Sequence, residues 1–508
     1  MSMVARAFKE RRSDTKRKAA QIIGNLHSLT DDKDLQPYCS SLLPGLKSCL
    51  VDPDPTVRTV ASKALGTIAK VMTAVVYEEL MCWLMDTLKD ETSGVNRSGA
   101  AQGFSEVLMH KGISHLDKFM PGILENSCNQ KLLSHVRDGY LMLYIYLPKL
   151  FRDQFASYVE IILPPILQAL SDEVEFIRET ALNAGQGIIE LYSHIAIDTM
   201  LPNLERGMLD LNWRIRYSSI KLLGELLFRL TGISGKGTTT GATEDESFAH
   251  TSSQDILIQS LGEETYNRVL AKIYISRMDV ALLVKQAATH IWKLMVVNTA
   301  RCLRSILKYL MEIILESLSE SNEDSRVMCT KTLGDIVKKL GERILPDIFG
   351  YMETGFHNCE SDERLGICTA ISEILKASPK DQIGNYLDKI LPIFKNCMID
   401  ECNDVREMSG EIFELLHSAI GVKIVEIIIP DLVEKLDDIN DSDNALNGLC
   451  TLVSFKGRIV IPFLIPKLTH PTVNTRAFSK LAKVAGDILS KHLATVLPAL
   501  VHAVSNVI

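Results

Sequence analysis

His110 and His115 are the first pair in this chain that could be asked to hold a metal. A helical zinc site needs two histidines four residues apart with a carboxylate between them, and these stand five apart at a turn with no acid to complete the set. Cys397 and Cys402 flank an Asp/Glu-bearing loop, and His357 and Cys359 have no further ligand nearby in sequence. The stretch GISGKGTTTG, residues 232 to 241, looks at first like a phosphate-binding loop. That motif requires Gly, four residues, Gly-Lys and then Ser or Thr, so that backbone N–H groups cradle the phosphates. Here Gly237 follows Lys236 and Leu230 occupies the first glycine position. The carboxylates of DLVEKLDDINDSD, residues 431 to 443, read as a solvated turn, and no Gly-x-Ser-x-Gly or Cys/His nucleophile arrangement occurs. The expectation is a chain that is not an enzyme, with no catalytic residue, no metal and no cofactor.

Charge offers more than chemistry does. The formal net charge is −8, yet residues 1 to 18 carry seven Lys or Arg against two acids, a local +5. Residues 267 to 310 carry eight against Asp279 alone, a local +7. An acidic body with two basic islands attracts anionic partners at the islands only. The first island supplies Arg11, Arg12, Lys16, Arg17 and Lys18 as candidate contacts to phosphate or protein. In the second, Arg301, Arg304 and Lys308 follow at spacings of three and four, which places them along one helix face as a candidate protein or RNA surface.

What positions these residues is a repeat. A hydrophobic-Pro step recurs at Pro44, Pro121, Pro164, Pro202, Pro346, Pro392, Pro430, Pro466 and Pro498, many of the intervals lying between 36 and 46 residues. A second marker follows at a fixed distance: Arg58, Arg178, Arg216 and Arg406 each lie 14 residues after such a proline. Between markers the period is helical. Leu42, Leu43, Leu46, Cys49 and Leu50 form one apolar face, and Val57, Val60, Ala61, Ala64, Leu65 and Ile68 form the next. Each unit is therefore a helix hairpin, with Asp54, Asp172 or Asp404 able to cap the second helix and a proline bending the first. The repeat arginines Arg58, Arg137, Arg178, Arg216 and Arg406 are expected to reach an acid in the adjacent turn and tie successive hairpins together.

This is the HEAT-type pattern. It predicts an all-α HEAT-repeat α-solenoid, a right-handed superhelix of about twelve antiparallel hairpins. Hairpins are expected over 35–72, 76–110, 115–150, 155–194, 197–230, 266–297, 301–340, 344–377, 383–420, 424–456 and 458–487. Residues 12 to 29 read as a second helix lacking most of its first, and 489 to 508 as a first helix lacking its second, so both ends are expected to be uncapped parts of a longer array. One interruption is visible: 1–230 and 266–508 are repeat segments, and 231–265 is a Gly/Thr/Ser-rich insertion whose stretch 231–255 reads as an exposed loop. The eleven cysteines form no CxxC pair, and Cys49, Cys82, Cys329 and Cys450 fit reduced thiols used as small core residues. No secretory leader and no run of about 18 apolar residues is present, so a soluble cytoplasmic chain without a membrane contact is expected.

The segments TKRKAAQIIGNLHSLTDDKDLQPY, RTVASKALGTIAKVM, RSGAAQGFSEVL, HVRDGY, WRIRYSSIKLLGELLF, KTLGDIVKKLGERILP, SDERLGICTAISEI and PKLTHPTVNTRAF resemble the middle of the general-control translational activators. These are the HEAT-repeat supporters of the starvation-responsive kinase of initiation factor two alpha. AFKERRSDTKRKAAQIIGNL onward is also similar to the HEAT module of fungal elongation factor three, over about the first 75 residues. The resemblance implies a cytosolic, ribosome-associated scaffold with an ATP-binding-cassette translation factor as partner and ribosomal RNA as a candidate contact. It also implies kinase binding, through a segment expected mainly beyond residue 508. Two alternatives stay open at this point: a transport receptor of the importin type, and a phosphatase-scaffold arm.

Overall fold

Leu42, Leu43, Leu46, Cys49 and Leu50 are all buried along the helix Cys39–Leu50, and Val57, Ala61, Ala64, Leu65 and Ile68 along Pro55–Ala69, with Val60 half-buried. The apolar stripes face each other, and closing them is what makes the hairpin. The computed structural model describes residues 2–26, 29–30, 32–233, 251–319, 322–356, 360–438, 441–469 and 473–505. Among them every regular element is helical.

The same pairing recurs along the chain. Ala74–Thr87 pairs with Gly94–Lys111, Ile113–Cys128 with Ser134–Phe151, Glu263–Ser276 with Leu282–Met295, and Thr299–Ser319 with Glu323–Leu340. Leu345–Phe356 pairs with Ser361–Ala377 and Leu387–Met398 with Asn403–Ile420. Second helices also pack on the second helices of the next hairpin, as Pro55–Ala69 does on Gly94–Lys111, and that on Ser134–Phe151. The fold is a stack of HEAT-type hairpins. The chain divides into two compact units, one of Met1–Thr238 with Asp255–Leu261 and the other of Thr239–Gln254 with Gly262–Ile508.

Two kinds of joint between hairpins recur. Gly112, Gly341, Gly421 and Gly486 end second helices with positive φ, the left-handed backbone that side chains resist. At two other joints no loop intervenes. Glu175–Gly207 continues through a kink at Tyr192 (φ −131°, ψ 40°), and Ser442–Thr469 through one at Lys456 (φ −139°, ψ 44°), so one helix closes one hairpin and opens the next. The Tyr192 hydroxyl secures the first kink by donating to the carbonyls of Pro148 (3.1 Å) and Arg152 (2.6 Å). Ser442–Thr469 is long and apolar enough to cross a bilayer by composition alone. However, its Ala445, Leu446, Leu449, Leu452, Val460 and Leu464 are buried against protein, and Lys456 at the kink pairs with Glu414 at 2.5 Å.

Close approach of the stack rests on glycines that carry no turn. A Cβ at Gly99 would stand 1.7 Å from the Leu50 carbonyl oxygen, one at Gly139 1.9 Å from that of Leu88, and one at Gly448 2.3 Å from that of Met398. In each case a carbonyl at the C-terminal end of a first helix abuts the second helix of the next hairpin.

Several expectations change. The insertion read as 231–265 contains a helix, Thr251–Leu261, and the next begins at Glu263, so its last part is regular structure rather than loop. The rest of that stretch from residue 234 to 250, with the GKGTTTG run, lies outside the described residues, as do His357 and Cys359. Residues before 12 supply a short first helix, Ser2–Ala7, followed by buried Phe8. Asp54 caps its helix by accepting from the Thr56 N–H, but Asp172 lies two residues before the N-cap Val174 and Asp404 lies inside its helix. Pro346 is the second residue of Leu345–Phe356 and interrupts nothing, whereas Pro44, Pro121, Pro164, Pro202, Pro392, Pro430, Pro466 and Pro498 are internal. Cys49 and Cys329 are buried as core thiols, Cys450 is half-buried, and Cys82 is exposed.

Candidate interaction surfaces

Building a surface from these hairpins begins with the turn inside each one, because the turn decides which cations are free. At Asp52, Asp90, Asp172, Asp210, Asp279 and Asp400 the carboxylate accepts from the backbone N–H two residues on, at 2.7–3.0 Å. This is the Asx turn, in which a short acidic side chain stands in for a backbone bend. Six residues after four of these acids comes the repeat arginine. Arg58 donates to the carbonyls of Asp52 and Pro53, Arg178 to Asp172 and Glu173, Arg216 to Asp210 and Leu211, and Arg406 to Asp400 and Glu401. These four therefore staple their own turns, and of these bonds of Arg58, Arg178 and Arg406 none goes to an acid of the neighbouring hairpin, although the sequence reading expects one there. The reason is geometric: the exposed carbonyls of the turn lie directly over the first turn of the helix that carries the arginine.

Cross-hairpin ties exist and use other cations. Lys16 bonds Asp52 at 2.6 Å, Arg364 bonds both oxygens of Asp400 at 2.6 and 3.1 Å, and Arg137 bonds Asp172. Of the predicted arginine set, Arg137 thus bridges as expected. Each of these aspartates takes its own arginine on the carbonyl and the preceding hairpin's cation on the carboxylate. Deeper in the stack Asp138, fully buried, accepts from Arg97 at 2.8 Å and from Thr180 at 2.7 Å, joining three consecutive second helices. Burial pushes its carboxyl above the usual range, against the pull of Thr180 and Arg97.

The first basic island is thereby divided. Lys16 is held by Asp52, which raises its pKa chiefly through that hydrogen bond, and belongs to the scaffold. Arg17 pairs with Asp14 at 2.7 Å. Arg11, Arg12 and Lys18 are exposed and have no side-chain partner among the described residues. The second island divides too: Arg277 and Lys293 are buried, Arg277 against the rings of Tyr274 and Trp292 at 4.9 and 5.4 Å. Arg301, Arg304 and Lys308 do share one exposed face of Thr299–Ser319, and Lys308 lies 3.9 Å from Glu312.

The candidate ligands of the sequence do not converge. His110 Nδ1 lies 2.9 Å from the Glu106 carbonyl, while His115 Nδ1 is buried without a partner. Cys397 is buried 3.0 Å from Cys368, its thiol pushed up by burial, and the Cys402 N–H caps Asp400. No cluster of three or more His, Cys, Asp or Glu with metal-holding geometry occurs among the described residues. Glu106 is nearly buried, and desolvation raises its pKa although Lys63 draws it down. A carboxyl raised on folding contributes stability below its unfolded pKa and loses it as pH rises through the folded value. Glu106→Gln is therefore expected to raise the urea midpoint at pH 8 more than at pH 4. An equal midpoint change at both pH values would contradict this.

The comparisons agree with the HEAT-repeat fold. A family model described as elongation factor 3/GNC1 HEAT repeat matches residues 1–79, one described as EF3 N-terminal HEAT repeat matches 97–230, and one described as stalled ribosome sensor GCN1-like HEAT repeats matches 460–508. The Homo sapiens protein named stalled ribosome sensor GCN1 is 48% identical over 506 residues, covering 100% of this chain. The chain belongs to the GCN1 family. It spans 19% of the length of that relative, and likewise 19% of the Saccharomyces cerevisiae protein named eIF-2-alpha kinase activator GCN1, to which it is 35% identical. Elongation factor 3 of Eremothecium gossypii is 21% identical over 258 residues, half of this GCN1-family chain and 24% of its own. Among solved structures the Kap95:Nup1 complex aligns over 99% of the chain and 64% of its own, at 12% identity and a TM-score of 0.36. A likeness of that degree decides nothing between a transport receptor and a GCN1-type scaffold.

Proposed function

We propose that this chain is a non-enzymatic docking section of a cytoplasmic, ribosome-associated regulator of translation. What carries the reading is the match along the whole chain to relatives named for sensing stalled ribosomes and for activating the eIF-2-alpha kinase. The architecture supports it: stapled hairpins present long rows of side chains. Within the larger protein the section contributes ribosome contact and the alignment of an ATP-binding-cassette translation factor. Kinase activation is the output of the whole.

Arg11, Arg12 and Lys18 are the contact residues of the first island, placed on and just before Ser13–Leu26 and open to ribosomal RNA or protein. Changing all three to alanine should weaken co-sedimentation with purified ribosomes and lower the salt dependence of binding by about two to three charges. Lys16→Ala serves as the comparison: it should lower the denaturation midpoint and leave sedimentation of the folded chain intact. Unchanged sedimentation of the triple variant at matched salt would remove this surface from the reading.

A further inference from the structure

Cys368 and Cys397 are both fully buried, and their sulfurs stand 3.0 Å apart. Carbon atoms in contact rest at about 3.5–4.0 Å and sulfur is larger, whereas the bonded sulfurs of a disulfide stand at about 2.0 Å. The pair is therefore inside ordinary contact and about 1 Å short of a covalent bond. Cys39 shows what a single core thiol does instead: it donates to the Leu35 carbonyl at 3.6 Å. A bridging metal does not suit the spacing, since two thiolates held about 2.3 Å from a tetrahedral zinc ion stand about 3.7 Å from each other.

The pair spans a joint. Cys368 is on Ser361–Ala377, the second helix of one hairpin, and Cys397 is on Leu387–Met398, the first helix of the next. Between them the chain forms the short helix Lys380–Ile383 and one tight turn, Gly384–Tyr386, so this joint is neither ended by a positive-φ glycine nor fused. Cys368 lies ten residues before Ser378 and Cys397 ten residues after Leu387, which sets the two thiols level with each other about 15 Å from the joint. Splaying the two helices about the joint separates them most at the thiol end.

Buried thiols are inert while the helices stay closed, and burial holds the Cys397 thiol well above its ordinary pKa. Opening is eased by polar atoms that closure leaves unpaired. Ser372 is one turn on from Cys368 on the same face, and its hydroxyl is buried without a hydrogen-bond partner, whereas Thr369 on the same helix bonds the Leu365 carbonyl at 2.9 Å. At the joint itself the Ser378 hydroxyl and the Gln382 side-chain oxygen are also buried and unpaired. Each carries a desolvation cost that entering water lifts. We propose that Cys368 and Cys397 are a site of reversible oxidation, closing to a disulfide when hydrogen peroxide reaches them through splaying of the helices at Ser372. In the opened state one thiolate attacks the peroxide: an S–O bond forms, the O–O bond breaks, the sulfur is oxidised to a sulfenic acid, and the other oxygen leaves as hydroxide that takes up the first thiol's proton. On reclosure the second sulfur is within the near-attack distance of about 3–3.5 Å. It attacks the oxidised sulfur, so the S–S bond forms, the S–O bond breaks, and hydroxide leaves with the second thiol's proton as water. Two thiols and one peroxide become one disulfide and two waters, and a dithiol reverses the change. The product ties consecutive hairpins between the glycine joints at Gly341 and Gly421.

The test uses the whole chain, fully reduced and then exposed to hydrogen peroxide under native conditions, with peptide mapping by mass spectrometry without reduction. A linked Cys368–Cys397 peptide should form, vanish on treatment with dithiothreitol, and be accompanied by a higher urea midpoint of the oxidised chain. Cys368→Ser should lose both the linked peptide and the midpoint shift. Ser372→Ala, which removes the unpaired hydroxyl, should slow linking about fivefold without slowing alkylation of the exposed Cys82 and Cys128. The proposal is overturned if both thiols are still free after Cys82 and Cys128 have been oxidised, if the link forms only in denaturant, or if Ser372→Ala links as fast as the unsubstituted chain. Should Cys368→Ser lower the helical signal, the unsubstituted chain decides alone: a linked peptide absent before peroxide and present after it supports the site, and equal amounts overturn it.

Discussion

Gly139→Ala should destabilise the chain by about 3 kcal/mol or more, because the new Cβ would stand 1.9 Å from the Leu88 carbonyl oxygen and 2.9 Å from its carbon. The obstructing atoms are backbone at the end of a first helix, so no rotamer change relieves them, and the hairpins must separate. Gly99→Ala meets the same obstacle 1.7 Å from the Leu50 oxygen. Gly122, on the helix Ile113–Cys128, has nothing within 4 Å of its would-be Cβ. Gly122→Ala should therefore stabilise by up to about 1 kcal/mol through helix propensity. Opposite signs in urea denaturation at the two kinds of position are the expected result. Similar small effects at Gly99, Gly139 and Gly122 would mean the hairpins do not approach as described.

The second large effect is expected at Arg97. Removing its guanidinium leaves the Asp138 carboxylate wholly buried with Thr180 as its remaining donor, and breaking a buried pair from one side typically costs about 3–5 kcal/mol. Arg97 also donates to the Asp90 carbonyl at 2.9 Å and lies over the Phe176 ring at 5.1 Å, so its loss reaches the turn of its own hairpin and the second helix two hairpins on. Replacing the pair together, Arg97→Met with Asp138→Leu, should recover much of the loss, since the desolvated charge disappears. A double-mutant cycle on denaturation midpoints gives the coupling. Additive losses, with the double variant as unstable as the sum, would show that the pair is not the joint it looks to be.

The helical hairpins were legible because their signal is local: a 3.6-residue apolar period and two markers at a constant spacing. The partners of the markers were not. Arg58, Arg178 and Arg406 looked like inter-hairpin ties because their acids recur, yet the acceptors of their Nη1 groups are carbonyls, which a sequence does not print. Lys16 stood among five cations of the same type, and its partner Asp52 lies 36 residues away. Gly99 and Gly139 read in one dimension as helix weaknesses, because a neighbour's carbonyl is visible only when the helices are stacked. Thr251–Leu261 was missed because it opens on Thr-Ser-Ser-Gln-Asp, residues that favour loops and caps, and it has few apolar positions to declare a face. The basic stripe of Thr299–Ser319 was legible for the same reason as the hairpins: three and four residues are one turn.

The two kinds of joint imply an uneven spring. Where Glu175–Gly207 and Ser442–Thr469 run through Tyr192 and Lys456 without a loop, torsion passes straight from one hairpin to the next. At Gly112, Gly341, Gly421 and Gly486 a single permissive residue carries the load, and strain applied by a large bound object would concentrate there. Within each unit, hairpins joined this way bend at chosen vertebrae while the fused pairs keep their docking rows in fixed register.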